Sequence, residues 1–352
     1  MDFTPLNVTL AILGISLLVI VHEAGHYLAA RAFGMRVLRF SIGLGPALWK
    51  HQPKGSDTIF QVCALPLLAY VQIDGMNPTE AIDPKDDELY ANKGVFGRIV
   101  TIFAGPLANY LAAGLMVFTL CLVGGYPDVR TLPYAQVGVV MEDSAASEAE
   151  LQVGDRILEV DGTAVSNHTE LVAANADRGG VPTPYLIQRD GEQMEITLTP
   201  RESESGQVLM GVQLASERYF HTMGASEAIG YAFLVPWRTT VNTLEGLAHL
   251  VQEPDPDQVQ SVVGMTKMLA DSMEVAPQLY VALLIHLSVA LGLFNLLPFP
   301  ALDGGRLAFL GYELVTRRRA NEKVEAVVHT VGLLFLLGVL VLVMAKDVIK
   351  MI

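Results

Sequence analysis

His22, Glu23 and His26 are the residues of this sequence whose types and spacing most directly suit chemistry. Four residues apart on a helix, the two imidazoles leave the same face, and Glu23 stands beside them. Two neutral imidazoles can hold Zn²⁺ while a third protein ligand completes the protein's share. The open position then takes a water whose pKa the metal lowers toward neutrality. Glu23 would take that water's proton. The pattern H-E-x-x-H also arises by chance, as two surface histidines on an ordinary helix. What precedes it argues against that reading, because Val8 to Val21 contains no charged residue. Ionisable side chains at the end of such a run are costly in hydrocarbon, so a cluster at that depth reads as a site.

A second candidate lies late in the chain, in Asn295-Leu-Leu-Pro298-Phe-Pro300-Ala-Leu-Asp303-Gly304-Gly305-Arg306. Two prolines force the backbone open, and a new helix is expected from Gly304 to Thr316. Asp303 is either the N-cap of that helix or a carboxylate ligand brought to the depth of His22 and His26. Glu313 is the one helix-borne alternative for a third ligand.

Composition sets the class. Of 352 residues 51% are hydrophobic and 17% charged, and mean hydropathy is +0.40, which suits a membrane protein and not a wholly soluble chain. The formal net charge of −14 has its acidic excess between Asp128 and Glu274, which gives nucleic-acid binding little support. Cys63 and Cys121 both lie in apolar stretches and predict neither a disulfide nor a thiolate metal site.

Elements to position these residues follow in order. Helix one is expected from about Leu6 to Phe33, with Pro5 in its first turn and Gly34 past its end. The N-terminus has no basic region and no cleavage signature, so the helix reads as an uncleaved span. About fourteen apolar residues at 1.5 Å each put His22 roughly 21 Å into a ~30 Å hydrocarbon layer. Arg31, Arg36 and Arg39 then place the nearer surface in the cytoplasm. Residues 37 to 75 do not span. Phe40 to Pro46 is broken by Gly43, Gly45 and Pro46, and Trp49 suits an interface. Thr58–Val62 and Ala69–Ile73 read as short strands of a small β-layer. Bare strand edges cannot face lipid, so the layer either lines a wet cavity and takes an extended substrate by strand addition, through Tyr70, Val71, Gln72 and Ile73, or merely caps the bundle. Asp83 to Glu88 reads as a solvated loop. Helix two runs from Val95 to Val123, with a bend at Gly105-Pro106, and its Asn109 needs a partner, most simply in an interhelical hydrogen bond.

From Asp128 to about Ala215 the composition is that of a soluble domain. Strands are expected at Val137–Val140, Arg156–Val160, Pro184–Gln188 and Met194–Thr199, with Asp161-Gly162 and Asp190-Gly191 as hairpin turns. Short helices are expected at Ser147–Leu151 and Asn167–Ala174, and His168 reads as an exposed helix residue. The stretch Ser144 to Gly162 resembles a bacterial PDZ domain, a fold that takes extended peptides or C-termini onto a sheet edge. Leu209, Met210, Gly211 and Val212 are its candidate carboxylate-loop strand. Residues 216 to 278 read as an amphipathic segment at the outer surface, helical from Ala225 to Leu250, with His221 and His249 at the interface. Glu253 to Asp257 reads as a loop. Helix three is expected from Leu279 to Leu297, with His286 packed in the bundle, and helix four from Ala326 to Met344. Arg317, Arg318 and Arg319 mark a cytoplasmic loop, and His329 reads as structural.

His22-Glu23-x-x-His26 and Leu302-Asp303-Gly304 lie at the cytoplasmic ends of two membrane segments. With Phe103-x-x-Gly105-Pro106-x-x-Asn109 and the inserted module, they resemble the site-2 protease family of intramembrane zinc metalloproteases, in its bacterial regulator-of-sigma-E branch. The resemblance implies an α-helical polytopic membrane protein with four transmembrane helices, a small β-layer and an inserted α+β PDZ domain. The domain limits are 1–127, 128–215 and 216–352. It implies Zn²⁺ on His22, His26 and Asp303, Glu23 as general base, and Asn295 as a contact to the substrate backbone. Implied partners are single-span membrane proteins such as anti-sigma factors, a peptide or C-terminus at the PDZ domain, and the bilayer. The implied location is the bacterial cytoplasmic (inner) membrane, with the N-terminus and PDZ domain outside. The best known members carry two PDZ modules where this chain has one. The competing reading is a membrane-anchored PDZ adaptor whose metal site is not catalytic.

Overall fold

A computed structural model of the protein describes residues 4–77, 82–203, 208–253 and 261–351. The chain divides into two compact units, Met1–Tyr126 with Thr222–Ile352, and Pro127–His221. Among the described residues four helices are long and apolar enough to cross a membrane: Pro5–Ala32, Val95–Val123, Pro277–Leu296 and Lys323–Lys346. The leading residues 1–3, and 254–257 of the expected loop after Glu253, lie outside the described residues.

Helix α1 is Pro5–Ala32, started by the Thr4 side chain, which accepts from the Asn7 N–H, and ended at Gly34, whose φ is +65°. Its buried line Ala11, Gly14, Leu18, His22, Gly25 recurs every three to four residues, one helical face. The chain then forms two long strands, β1 (Val37–His51) and β2 (Ile59–Ile73). Arg39 to Ile42 of β1 pair on one side with Ala69–Gln72 and on the other with Ile59–Val62, while Trp49–His51 pair with Phe60–Val62. Two strands thus fold back into a four-run layer, with Ala69–Ile73 at one edge. The segment Phe40–Pro46 is not helical, as its glycines and proline imply, but β1 is a strand not among those expected: Gly43 and Gly45, at φ +89° and +91°, curl a continuous strand where other residues would end it. The loop Asp83–Glu88 is tied down, since Arg36 donates to Asp74, Asp86 and Glu88. Helix α2 (Val95–Val123) runs through Pro106 and crosses α1 at backbone contact. A Cβ on Gly25 would lie 2.7 Å from the Ala104 carbonyl carbon.

The second unit opens with β3 (Tyr126–Thr131) and β4 (Val137–Val140). Helix α3 (Ala145–Glu148) begins earlier than its sequence suggests because Ser144 caps it, its Oγ accepting from the Ser147 N–H at 3.2 Å. Next come β5 (Arg156–Val160), β6 (Thr163–Ala164), α4 (His168–Asn175), β7 (Thr183–Arg189) and β8 (Glu192–Leu198). The strands form an antiparallel sheet in the order β6-β5-β7-β8. Its hairpins turn at Asp161-Gly162 and Asp190-Gly191, all four residues at positive φ, as type I′ turns require. Ile157, Val160, Tyr185, Ile187 and Leu198 are buried beneath it. Short strands β9 (Arg201–Glu202) and β10 (Val208–Leu209) pair, and β11 (Val212–Leu214) pairs with β4. Leu209–Val212 is therefore a turn between two strands, with Gly211 at φ +80°. Strand β12 (Ser216–His221) pairs with β3, at the start of the stretch expected to be an amphipathic surface segment.

Helix α5 (Ala225–Gln252) carries one buried face, with most of its other residues exposed. It buries Ala228 and Val235 against Val117 and Cys121 of α2, and its Thr240 hydroxyl bonds Tyr110 at 2.9 Å. Helix α6 (Val262–Val275) packs Leu269 against Ala11 and Leu18, an element that the sequence reading missed. Helices α7 (Pro277–Leu296), α8 (Asp303–Thr316) and α9 (Glu322–Met351) complete the unit. His286 is exposed on α7, its Nδ1 at 2.7 Å from the Ala282 carbonyl, and is not packed in the bundle.

Candidate metal centre

Two helices, α1 and α8, bring three side chains to one point. His22 and His26 leave the buried face of α1, rings 4.8 Å apart and nearly perpendicular. Asp303 arrives 281 residues after His22, as the first residue of α8. The N-cap of that helix is Leu302, without a side-chain cap bond, so the capping reading of Asp303 fails and its carboxylate is spent on the histidines. Asp303 Oδ2 lies 3.1 Å from Nε2 of His22 and 3.1 Å from Nε2 of His26, and the two Nε2 atoms are 3.2 Å apart. Among the described residues this is the one group of three or more His, Cys, Asp or Glu side chains with donors close enough for a metal.

The donor set fits a small divalent cation. His26 Nδ1 lies 2.8 Å from the Thr101 carbonyl oxygen, which accepts from an N–H and leaves a lone pair on Nε2 of the neutral ring. That lone pair, the Asp303 oxygen and Nε2 of His22 then face one another as acceptors, which a shared cation satisfies. Tetrahedral zinc with bonds of about 2.0–2.2 Å sets its ligand atoms about 3.3 Å apart, close to the separations seen. Gly105 makes room for His26: a Cβ there would lie 2.5 Å from Cε1 and 2.8 Å from Cδ2 of the ring.

Two contacts surround the triad. Asn109, fully buried on α2, has its Nδ2 3.5 Å from His22 Nδ1, while its Oδ1 has no partner among the described residues. A side-chain amide can present either end to the ring, and with Oδ1 turned to it Asn109 accepts the Nδ1–H that a ligand bound through Nε2 donates. The interhelical bond expected of Asn109 thus ends on a candidate ligand. Glu23 Oε2 accepts the backbone N–H of Val71 at 3.0 Å, so the free edge of the β-layer is anchored to the candidate base. Neither that bond nor the Thr101 carbonyl has a local sequence signature; the glycine facing His26 within the Gly105-Pro106 motif was the available clue.

Other expected residues fall elsewhere. Glu313 is held by Arg98, at 2.5 and 3.1 Å, and is no ligand of the triad. Asn295 lies in the last turn of α7 with its amide donating to the Leu291 carbonyl at 2.9 Å. Tyr70 shares its hydroxyl with Gln61 and Arg39 within the β-layer, each at 3.4 Å. In the second unit Leu209–Val212 line a groove of about 460 Å³ together with His168, Leu171 and Val172 of α4. Cys63 and Cys121 are free and buried.

A membrane helix bundle carrying two histidines, a carboxylate and an adjacent glutamate defines a membrane metallopeptidase. The sequence model of peptidase family M50 matches residues 10–339, and the chain belongs to that family. Relatives include proteins named as zinc metalloproteases in Rhizobium meliloti, 30% identical over 95% of this chain and 94% of that one, and in Mesorhizobium japonicum, 31% identical over 92% and 93%. A chloroplastic membrane metalloprotease of Arabidopsis thaliana is 31% identical over 95% of this chain and 78% of its own length. Among solved structures, the PDZ domain of an SdrC-like protein from Listeria monocytogenes is 20% identical. It covers 24% of this chain and 92% of its own at a TM-score of 0.22, a likeness too slight to argue from.

Proposed function

We propose that this protein is an intramembrane zinc metalloprotease that hydrolyses peptide bonds in or near the transmembrane segment of single-span membrane proteins, anti-sigma factors among them. The observation that carries the reading is the meeting of His22, His26 and Asp303 donors within 3.2 Å beside Glu23. His22, His26 and Asp303 would hold the zinc, which when bound polarises the scissile carbonyl and acidifies water. Glu23 takes the proton of the attacking water and passes it to the leaving amine. The Val71 N–H holds the Glu23 carboxylate in place for that transfer.

A substrate helix hides its peptide bonds in its own hydrogen bonds and must unwind locally before a carbonyl can react. The edge run Tyr70, Val71, Gln72 and Ile73 would pair with the loosened segment and replace the bonds lost, and Asn295 would bind its backbone. Arg31 in the last turn of α1, Arg36 and Arg39 beyond it, and Arg317 to Arg319 after α8 favour a cytoplasmic surface near the site. The N-terminus and residues 128–215 then lie outside the bacterial cytoplasmic membrane, the latter serving as a PDZ domain that takes a peptide or C-terminus in the groove beside Leu209–Val212.

The test is metal analysis of purified protein with cleavage of a single-span substrate in detergent. Glu23→Gln should keep zinc and cleave at least about a thousandfold more slowly; Asp303→Ala should lose both. Wild-type cleavage by Glu23→Gln would remove the mechanism.

A further inference from the structure

From Ala326 to Met344 the last helix is apolar except for His329 and Thr330, and a polar ring in such a run calls for a reason. Thr330 satisfies its hydroxyl on its own helix, at the Ala326 carbonyl. His329 does not. Its Nδ1 accepts the backbone N–H of Ala301 at 2.9 Å, across to the loop between α7 and α8, and its ring lies against Phe309, centroids 5.8 Å apart. Its Nε2 is buried and has no partner among the described residues.

Ala301 is the residue this loop most needs held. Its φ is +74°, a left-handed conformation that disfavours a residue with a Cβ by about tenfold or more. It stands two residues before Asp303. The same helix braces the neighbours of Ala301. Gly332 lies so close to Pro300 that a Cβ would come within 2.8 Å of the Pro300 carbonyl carbon, and Phe335 packs on Phe299 with centroids 5.9 Å apart. On the far side the loop is equally tight: a Cβ on Gly304 would lie 2.6 Å from the Leu296 carbonyl oxygen, and one on Gly305 2.5 Å from that of Phe299. A shift at 301 therefore passes to Asp303 with little slack.

We propose that His329 is a positioning residue for the third metal ligand. By accepting the Ala301 N–H it holds the left-handed turn that delivers the Asp303 carboxylate to His22 and His26, so the last helix sets the geometry of the centre without touching it. The inference rests on Asp303 being a ligand, and the experiment separates the two. Zinc affinity of the purified full-length protein is measured in detergent by competition with a chromophoric chelator, alongside thermal unfolding. H329F, which keeps a ring but no acceptor, should bind zinc about tenfold more weakly. H329Q, whose amide oxygen can accept, should stay within about threefold of wild type. In an A301G background the H329F loss should shrink to about threefold or less, because glycine adopts this φ unaided. Should H329F fail to fold, H329L is read in its place. Wild-type affinity in H329F, or a loss undiminished by A301G, overturns the proposal. D303A that keeps wild-type affinity instead overturns the metal-site reading beneath it.

Discussion

Gly105→Ala tests how the early histidines are held. A methyl there would fall 2.5 Å from His26 Cε1 and 2.8 Å from Cδ2, where unbonded carbons settle at about 3.5–4.0 Å. Roughly 1 Å must be found by moving the ring or parting the helices. The ring is held at Nδ1 by the Thr101 carbonyl at 2.8 Å, and its Nε2 faces the Asp303 carboxylate at 3.1 Å, where a shared cation would fix it. The helices are already in backbone contact at Gly25 and Ala104. Displacing the ligand by that amount should weaken zinc about 10- to 100-fold, or ~1.4–2.8 kcal/mol, and slow cleavage about a hundredfold. Chelator competition and cleavage of a single-span substrate read the two effects. Gly25→Ala strains the same crossing against backbone and not against the ring, so its first effect should be on thermal stability, by about 1–3 kcal/mol. Wild-type zinc affinity and turnover in Gly105→Ala would refute the reasoning.

Glu313→Ala should leave zinc affinity unchanged yet destabilise the fold by about 3–5 kcal/mol, since Arg98 is left buried without its partner; lost zinc with an intact fold would restore Glu313 as a ligand. In the second unit Asp155 is 1% exposed and bound by Arg189 at 2.8 and 2.6 Å. Burial alone would raise its pKa, but the Arg189 guanidinium and the Gln152 N–H outweigh it and hold the carboxyl below the usual carboxylate range. A lowered folded pKa gives stability that is whole above about pH 4 and is lost as pH falls further toward the folded value. Hydrogen exchange of β5 and β7 amides should accelerate over that window, and Asp155→Asn should abolish most of the dependence. Finally, if residues 128–215 limit access by bulky ectodomains, their deletion should raise cleavage of long substrates relative to trimmed ones; equal rates for both in the intact enzyme would count against that role.

Much here was legible without coordinates. Helices α1, α2, α7 and α8 lie within about two residues of where hydropathy, caps and prolines put them, because those signals act within a few residues of the chain. The i, i+4 histidines and their glutamate are local for the same reason. Tertiary structure decided what depends on distant partners. Strand β1 hid behind glycines whose positive φ bends it, and α6 and β12 took their form from neighbours far away in sequence. A carboxylate 281 residues downstream could be a cap, a ligand or neither until packing chose, and Arg98 removed Glu313 from contention. The amide of Asn109, the carbonyl of Thr101 and the ring of His329 have meaning only through what faces them. A sequence specifies local conformation and the depth at which a side chain is affordable, but which two groups meet is set by the packing of whole helices.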